Sequence, residues 1–165
     1  MRKNYNNKKI INQKKLFKIV KNLKKSKKKI IITNGCFDIL HPGHVSYLEK
    51  SKKLGDVLIV LLNSDKSIKK NKGKSRPINN LNFRKNVLSG LSSVDYLTSF
   101  KDKTPKKLYK VLKPDILTKG MDMAKTPIAG SEYVKKNGGK IKLIKYDKRF
   151  STSKIIKKIS EISKY

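Results

Sequence analysis

Residues 29–44 read Lys-Ile-Ile-Ile-Thr-Asn-Gly-Cys-Phe-Asp-Ile-Leu-His-Pro-Gly-His. The stretch begins with an apolar run of strand length, passes through a glycine-containing turn and leads into a segment with helical spacing. A strand that runs through a turn into a helix is the first half of a β-α-β unit. The stretch therefore predicts an α/β fold.

The same alternation continues on both sides of this stretch. A leading helix is predicted over 11–25, where apolar residues recur with helical spacing and lysines occupy the opposite face. Strands are predicted over 29–33, 57–63, 95–100, 115–119 and 140–146. Helices are predicted over 43–54, 80–91, 104–112, 131–136 and 151–162.

Parallel strands joined by right-handed helical crossovers form an open sheet. We therefore predict a Rossmann-like α/β fold, an open parallel five-stranded sheet with helices on both faces. Residues 1–10 are polar, basic and without periodicity, which predicts a disordered tail. Residues 11–165 are expected to form a single domain with its catalytic core over 29–162, since 165 residues suit one ordinary domain.

Composition limits where the protein works and what it binds. The longest apolar stretches, such as 57–62, fall far short of the roughly 20 residues of a membrane span, and the N-terminus has no signal-peptide core. We expect a soluble, cytoplasmic protein without a membrane partner. Its single cysteine excludes an intramolecular disulfide framework and a cysteine-cluster metal site.

The formal net charge of +32 suggests an anionic partner. However, only four of the 43 basic residues are arginines, and the lysines are spread over nearly every segment. A nucleic-acid surface is usually richer in arginine and in stacking aromatics, and this chain has no tryptophan. We attribute most of the charge to coding bias and a solvated surface, and do not expect nucleic acid as a partner.

Both histidines of the chain, His41 and His44, lie in the loop that follows the first predicted strand. Ligands of open α/β sheets bind beyond the carboxyl ends of the strands. Gly35 and Gly43 permit close approach to a ligand, and the amides that begin the next helix form an anion site. Histidines three residues apart can both donate to a phosphate, although an isolated pair could equally bind a metal or lie on the surface.

The segment 33–44 resembles the signature of the cytidylyltransferase-like nucleotidyltransferases, an H-x-G-H motif after a G-x-F-D turn. Over residues 12–160 the chain resembles one branch, the D-glycero-β-D-manno-heptose 1-phosphate adenylyltransferase domain of ADP-heptose synthesis, which is often fused to a sugar kinase. The segments that carry this second likeness are 60–65, 73–77, 94–95, 113–120, 128–130 and 137–139.

This resemblance implies transfer of AMP from ATP to a heptose 1-phosphate, giving ADP-heptose and pyrophosphate for lipopolysaccharide or a related glycan. It implies Mg²⁺ as a helper, a separate sugar kinase as the source of the sugar phosphate, and a homodimer. No metal ligand is assigned.

The resemblance also implies roles for particular residues. His41, His44 and Lys72, from a basic loop over 69–74, are the expected catalytic residues. Asp38 is expected to bind substrate, with stabilisation of a turn as the alternative. The expected nucleotide-binding residues are Asn34, Gly35, Cys36, Phe37, Gly43, Arg84, Lys119, Gly120, Asp122, Ser151, Thr152 and Ser153.

Several of these positions have structural alternatives. Phe37 and Cys36 suit packing, Arg84 suits a solvated surface, and Ser151 suits ordinary helix capping. The chain also departs from the family pattern at Asn82, Phe83 and Met121.

Three other functions remain open at this stage. A cytidylyltransferase acting on glycerol 3-phosphate or another alcohol phosphate would share the histidine motif and the last helix. A riboflavin-nucleotide adenylyltransferase would share the superfamily signature. A polyanion- or nucleic-acid-binding protein would use the fold only as a scaffold for its lysines.

Overall fold

A computed structural model describes residues 8–145, 147 and 149–163. Its five strands all run parallel and form one sheet in the order β3-β2-β1-β4-β5. The strands are β1 (Ile30–Gly35), β2 (Val57–Asn63), β3 (Tyr96–Phe100), β4 (Ile116–Gly120) and β5 (Lys140–Ile144). The predicted fold class is confirmed.

Helices cover both faces of this sheet. They are α1 (Gln13–Lys25), α2 (Pro42–Lys52), α3 (Asp65–Lys72), α4 (Leu81–Ser89), α5 (Lys106–Leu112), α6 (Ser131–Lys136) and α7 (Thr152–Ile162), with a 3-10 turn at Met121–Met123. The ends of the predicted strands and helices differ from these by at most two residues, and the predicted end of the last strand at Tyr146 lies outside the described residues.

The core consists of two apolar layers, one on each face. Alternate residues of β1 point to opposite faces, so Ile30 and Ile32 pack in one layer while Ile31 packs in the other. The first layer includes side chains of α1, α5 and α6, and the second includes side chains of α2 and α4. All seven residues of β2 are buried, as expected for a parallel strand that is covered on both faces.

The direction of strand addition reverses at β1. The chain adds β2 and then β3 on one side of β1, then crosses to the other side and adds β4 and β5. A crevice opens beyond the carboxyl ends of the strands on either side of such a reversal. The loop that carries both histidines begins at the end of β1, and therefore lies at this point.

Two predictions about loops and ends need correction. The basic loop over 69–74 is helical through Lys72, because Ser64 caps α3 by accepting a hydrogen bond from the amide of Ser67, and because Ile68 is buried. Residues 1–7 of the predicted tail lie outside the described residues. The tail does not extend through residue 10, because the backbone of Lys9 and Ile11 pairs with Leu97 on the outer edge of β3.

None of the helices within the described ranges has both the length and the apolarity to cross a lipid bilayer.

Candidate active site

A cavity of about 520 Å³ lies beyond the carboxyl ends of the strands. It is bounded by the loop after β1, the start of α2, the end of α3, the loop after β3, the end of β4 and the start of α7. All the predicted site residues except Asp38 and Arg84 line it. The fold thus brings together residues that the sequence places more than a hundred positions apart.

The two histidines form a stacked pair at the start of α2. Their ring centroids lie 3.8 Å apart with 21° between the ring planes, and Phe37 packs against His44 with centroids 5.1 Å apart. His41 is the N-cap residue of α2 and does not cap it through its side chain. Both Nδ1 atoms are buried and have no hydrogen-bond partner within the described residues. These two nitrogens are therefore enclosed polar groups whose hydrogen bonding is incomplete.

Both imidazoles are neutral at pH 7. Burial, together with the neighbouring ring of His41, lowers the pKa of His44 to about 4. Burial also lowers the pKa of His41. A neutral imidazole has one N–H donor and one acceptor nitrogen, so the pair can donate hydrogen bonds to an anion without carrying a fixed charge.

Phe37 packs against the turn that carries the two histidines. Its backbone has a φ of +44°, a conformation that costs energy for a residue with a side chain. Its ring occupies the space beside Gly35, where an added Cβ would come within 2.8 Å of the ring. Phe37 thus packs under the pair as well as lining the cavity. Cys36 lines the cavity nearby, and burial raises the pKa of its thiol.

A buried network of hydroxyl groups anchors α2 to the sheet beneath the cavity. The hydroxyls of Tyr47 and Thr33 lie 2.7 Å apart, and Tyr47 donates to Thr118 Oγ1 at 3.3 Å. These three residues belong to α2, β1 and β4, and all are buried. Tyr47 lies one turn after His44, so the network holds the face of α2 that carries this histidine.

The start of α7 faces the same cavity as the start of α2. Ser151 caps α7 by accepting a hydrogen bond from the amide of Lys154 at 3.2 Å, as the capping alternative expected. A Cβ on Gly43 would lie only 3.5 Å from the backbone oxygen of Asp147, so the loop before α7 passes close to α2. The first residues of α2 and α7 that keep an amide for a ligand, Gly43 in α2 and Thr152 and Ser153 in α7, thus line one cavity at the positive dipole ends of both helices.

Asp38 does not line this cavity, and its role in substrate binding stays a prediction. Its buried carboxylate forms an ion pair with Arg76 at 2.7 Å and accepts hydrogen bonds from the amides of Ile78 and Asn79. Burial alone would raise its pKa, but these hydrogen bonds hold the pKa below its usual value. Asp38 therefore stabilises the loop before α4, as the turn alternative expected.

Arg84 is also absent from the lining of the cavity; its contact with nucleotide stays a prediction, while the solvated alternative is wrong. Its side chain is fully buried. The guanidinium donates to the backbone oxygens of Cys36, Asn63 and Asn79 and forms an ion pair with Asp65 at 2.7 Å. Arg84 thus holds the ends of β1 and β2 together through hydrogen bonds, and stabilises the site without lining the cavity.

Other residues of the cavity escaped the sequence analysis. The loop after β3 contributes Lys103, Thr104 and Pro105. Because residues 101–105 follow a predicted strand, their position at the carboxyl end of that strand could have indicated that they belong to the site. Asn63 ends β2 and lines the cavity too. The remaining members are Tyr47, Asn71, Met123, Pro127, Ile128, Ala129 and Phe150.

No group of three or more histidine, cysteine, aspartate or glutamate side chains in the described ranges is arranged to hold a metal ion. Among the cavity-lining residues that are described, Asp122 is the one carboxylate. Mg²⁺ is commonly bound by one or two carboxylates together with substrate phosphates and water. The residues present therefore fit a metal that arrives with the nucleotide.

Comparison with known proteins agrees with this geometry. The family model described as cytidylyltransferase-like matches residues 32–160. The chain is 50% identical over 153 residues to the bifunctional protein HldE of Pasteurella multocida strain Pm70, covering 93% of this chain and 32% of that protein. It is 55% identical over 131 residues to HldE of Haemophilus influenzae strain PittEE, covering 79% and 28%. The chain thus spans about a third of the length of these relatives.

Two solved structures share the fold. The lipopolysaccharide core biosynthesis protein from Thermoplasma volcanium GSS1 aligns with a TM-score of 0.58 and 34% identity, covering 73% of this chain and 97% of that one. Pantoate-β-alanine ligase from Francisella tularensis aligns with a TM-score of 0.56 and 20% identity, covering 94% and 79%. At that identity the second likeness concerns the fold alone.

Replacement of Arg84 by methionine is expected to lower the free energy of unfolding by about 3 kcal/mol or more, because three backbone oxygens and Asp65 lose their donor in a buried setting. Urea unfolding of both proteins measures the difference. Arg149→Met is the matched control, since that side chain is 84% exposed and its loss should leave the free energy of unfolding almost unchanged. Equal costs for the two variants would contradict the bracing role.

The stability of the protein is expected to fall between about pH 6.5 and pH 4 through His44. The pKa of His44 is about 4 in the folded chain and near 6.5 when unfolded, so the unfolded state binds the extra proton first. Stability from this residue is complete above pH 6.5 and is lost as the pH falls, by up to about 1.4 kcal/mol per pH unit. In urea unfolding, His44→Gln should reduce this slope. An unchanged slope would contradict the buried neutral histidine.

Proposed function

The chain belongs to the cytidylyltransferase-like family, and we propose from this premise that it transfers AMP from ATP to the phosphate of a heptose 1-phosphate, forming ADP-heptose and pyrophosphate. The observation that carries the proposal is the convergence of the stacked histidine pair with the N-termini of α2 and α7 in one cavity. Identity of about 50% to HldE proteins over most of the chain supports the choice of acceptor, since the motifs quoted above resemble the heptose branch.

The chemistry asks the protein for alignment and charge stabilisation, and needs no covalent nucleophile. An oxygen of the acceptor phosphate attacks the α-phosphorus of ATP, and the bond from that phosphorus to the oxygen of the leaving pyrophosphate breaks. Negative charge grows on the leaving group. The amides of Gly43, Thr152 and Ser153, at the starts of α2 and α7, and the imidazoles of His41 and His44 would donate hydrogen bonds to it.

Neutral histidines suit this role. Since burial lowers their pKa values, they donate hydrogen bonds as neutral imidazoles and need not be protonated first. Their Nδ1 atoms lack partners in the described part of the chain, so each retains bonding capacity for a substrate or for ordered water.

Lysines supply positive charge on another wall of the cavity. Lys72 ends α3, and Lys103 lies in the loop after β3, which is tied to α3 by hydrogen bonds from Ser67 to Asp102 and from Asn71 to Lys103. Neither ammonium forms an ion pair with a described residue. Two substrates that both carry phosphates need more cationic contacts than the histidine turn offers. We therefore assign Lys103, together with Lys72, to the residues that contact the phosphates of the substrates.

Mg²⁺ would be held by the triphosphate together with Asp122, and when bound it neutralises phosphate charge.

The proposal is tested by measuring pyrophosphate release from ATP or CTP with heptose 1-phosphate, glycerol 3-phosphate or no acceptor. Release is expected only with ATP plus heptose 1-phosphate. His41→Ala is expected to lower the rate by about 100-fold to 1000-fold, as removal of one donor to a developing anion typically does. This variant also controls for contaminating enzymes.

The other outcomes are equally informative. Release with CTP and glycerol 3-phosphate would replace the proposal by the cytidylyltransferase alternative. No release in any combination would reject both, and a salt-dependent affinity for nucleic acid that survives the His41→Ala change would favour a binding protein.

Activity is expected to fall as the pH rises through about 8, because burial lowers the pKa of Lys119 to about 8 and only its protonated form attracts phosphate. The measurement is kcat/KM for ATP between pH 7 and 9.5. Lys119→Arg should abolish the fall, since arginine stays charged, while Lys140→Arg, on the exposed part of β5, should retain it. If kcat/KM still falls with rising pH in Lys119→Arg, the fall is caused by a group other than Lys119.

A further inference from the structure

Lys119 and Asn34 lie side by side at the carboxyl edge of the sheet. Their strands, β4 and β1, are neighbours, with Thr118 in register with Thr33. The ammonium of Lys119 donates a hydrogen bond to Asn34 Oδ1, and both residues line the cavity. Because an ammonium can only donate, this bond requires the amide oxygen of Asn34 to face Lys119.

A third residue meets the same oxygen. Tyr109 of α5 donates its hydroxyl hydrogen to Asn34 Oδ1 at 2.5 Å. Two donors therefore converge on this atom, which uses both of its lone pairs. The amide nitrogen of Asn34 forms no hydrogen bond with a described residue and is not among the enclosed, unpartnered atoms. Its N–H groups are therefore available at the cavity.

The hydroxyl of Tyr109 is fixed in place by packing. The side chain is fully buried. Its ring lies so close to Gly130 that an added Cβ there would come within 2.8 Å of Tyr109 Cδ2. Gly130 has a φ of +85°, so the close approach coincides with a backbone conformation that favours glycine. Burial also raises the pKa of Tyr109, which keeps the hydroxyl protonated as a donor.

We propose that Tyr109 is a positioning residue of the active site, which by holding the amide oxygen of Asn34 turns the Asn34 N–H groups and the Lys119 ammonium toward the phosphates of the nucleotide. The inference rests on the proposed function, because it takes the cavity to be the nucleotide site. Tyr109 itself does not line the cavity and so acts through the other two residues.

The test is a double-mutant cycle on the affinity for ATP, measured by calorimetric titration without any acceptor. Tyr109→Phe removes one oxygen atom. It is expected to raise the Kd for ATP about fivefold to tenfold, because it removes one hydrogen bond that orders the donors to the phosphates. In the Asn34→Ala background the same change should alter Kd by less than about twofold, because the partner through which it acts is gone.

Tyr133→Phe is the matched control. That residue lies on α6 outside the cavity, its hydroxyl forms no hydrogen bond with a described residue, and its loss should leave Kd unchanged. Thermal unfolding of every variant confirms that it is folded at the titration temperature.

An equal fold-change from Tyr109→Phe in both backgrounds would overturn the inference, since a general effect on packing does not depend on Asn34. An unchanged Kd in Tyr109→Phe would overturn it as well, and would leave the proposed function standing. Failure of the unchanged chain to bind ATP would overturn both, which distinguishes the two failures.

Discussion

The pairing of β4 beside β1 is the constraint on which the site depends. This pairing reverses the direction of strand addition and so opens a crevice at the carboxyl ends of β1 and β4. Both of these strands carry polar residues at that end. The hydroxyl network through Tyr47 joins these two strands to α2. A slip of this pairing by one residue would turn Lys119 to the opposite face of the sheet and separate it from Asn34.

Carboxylates have a defined structural role at both edges of the sheet. Three of the chain's eleven acidic residues, Asp56, Asp95 and Asp115, immediately precede strands. Each accepts a hydrogen bond from a backbone amide at the amino end of a neighbouring strand, at 2.6–2.7 Å. These carboxylates thus satisfy backbone donors at the edge far from the cavity. At the carboxyl edge, Asp38 and Asp65 are paired with Arg76 and Arg84, and Asp122 is the one carboxylate among the described residues that line the cavity, beside Lys72, Lys103 and Lys119.

Much of the fold and part of the site follow from local patterns. The strand runs and helices were predictable because burial on both faces and helical spacing leave a signature within ten residues or so. The histidine turn was identifiable because its residue types and their spacing are themselves local. The burial of Arg84 was not predicted because the sequence around it is that of an exposed helix, with Phe83 and Val87 on the surface. Nothing local shows that its guanidinium enters a buried gap between strand ends.

The sequence by itself determined a parallel α/β sheet and a turn at His41 and His44 whose residue types suit phosphate binding, because backbone preference and side-chain chemistry act over short separations. Only the tertiary structure decided which distant residues complete the site. The contacts of Asn34 with Tyr109 and Lys119 join positions 75 and 85 residues apart. Such contacts depend on strand order and register, which arise from how all the helices and strands pack together, and no segment carries that information alone.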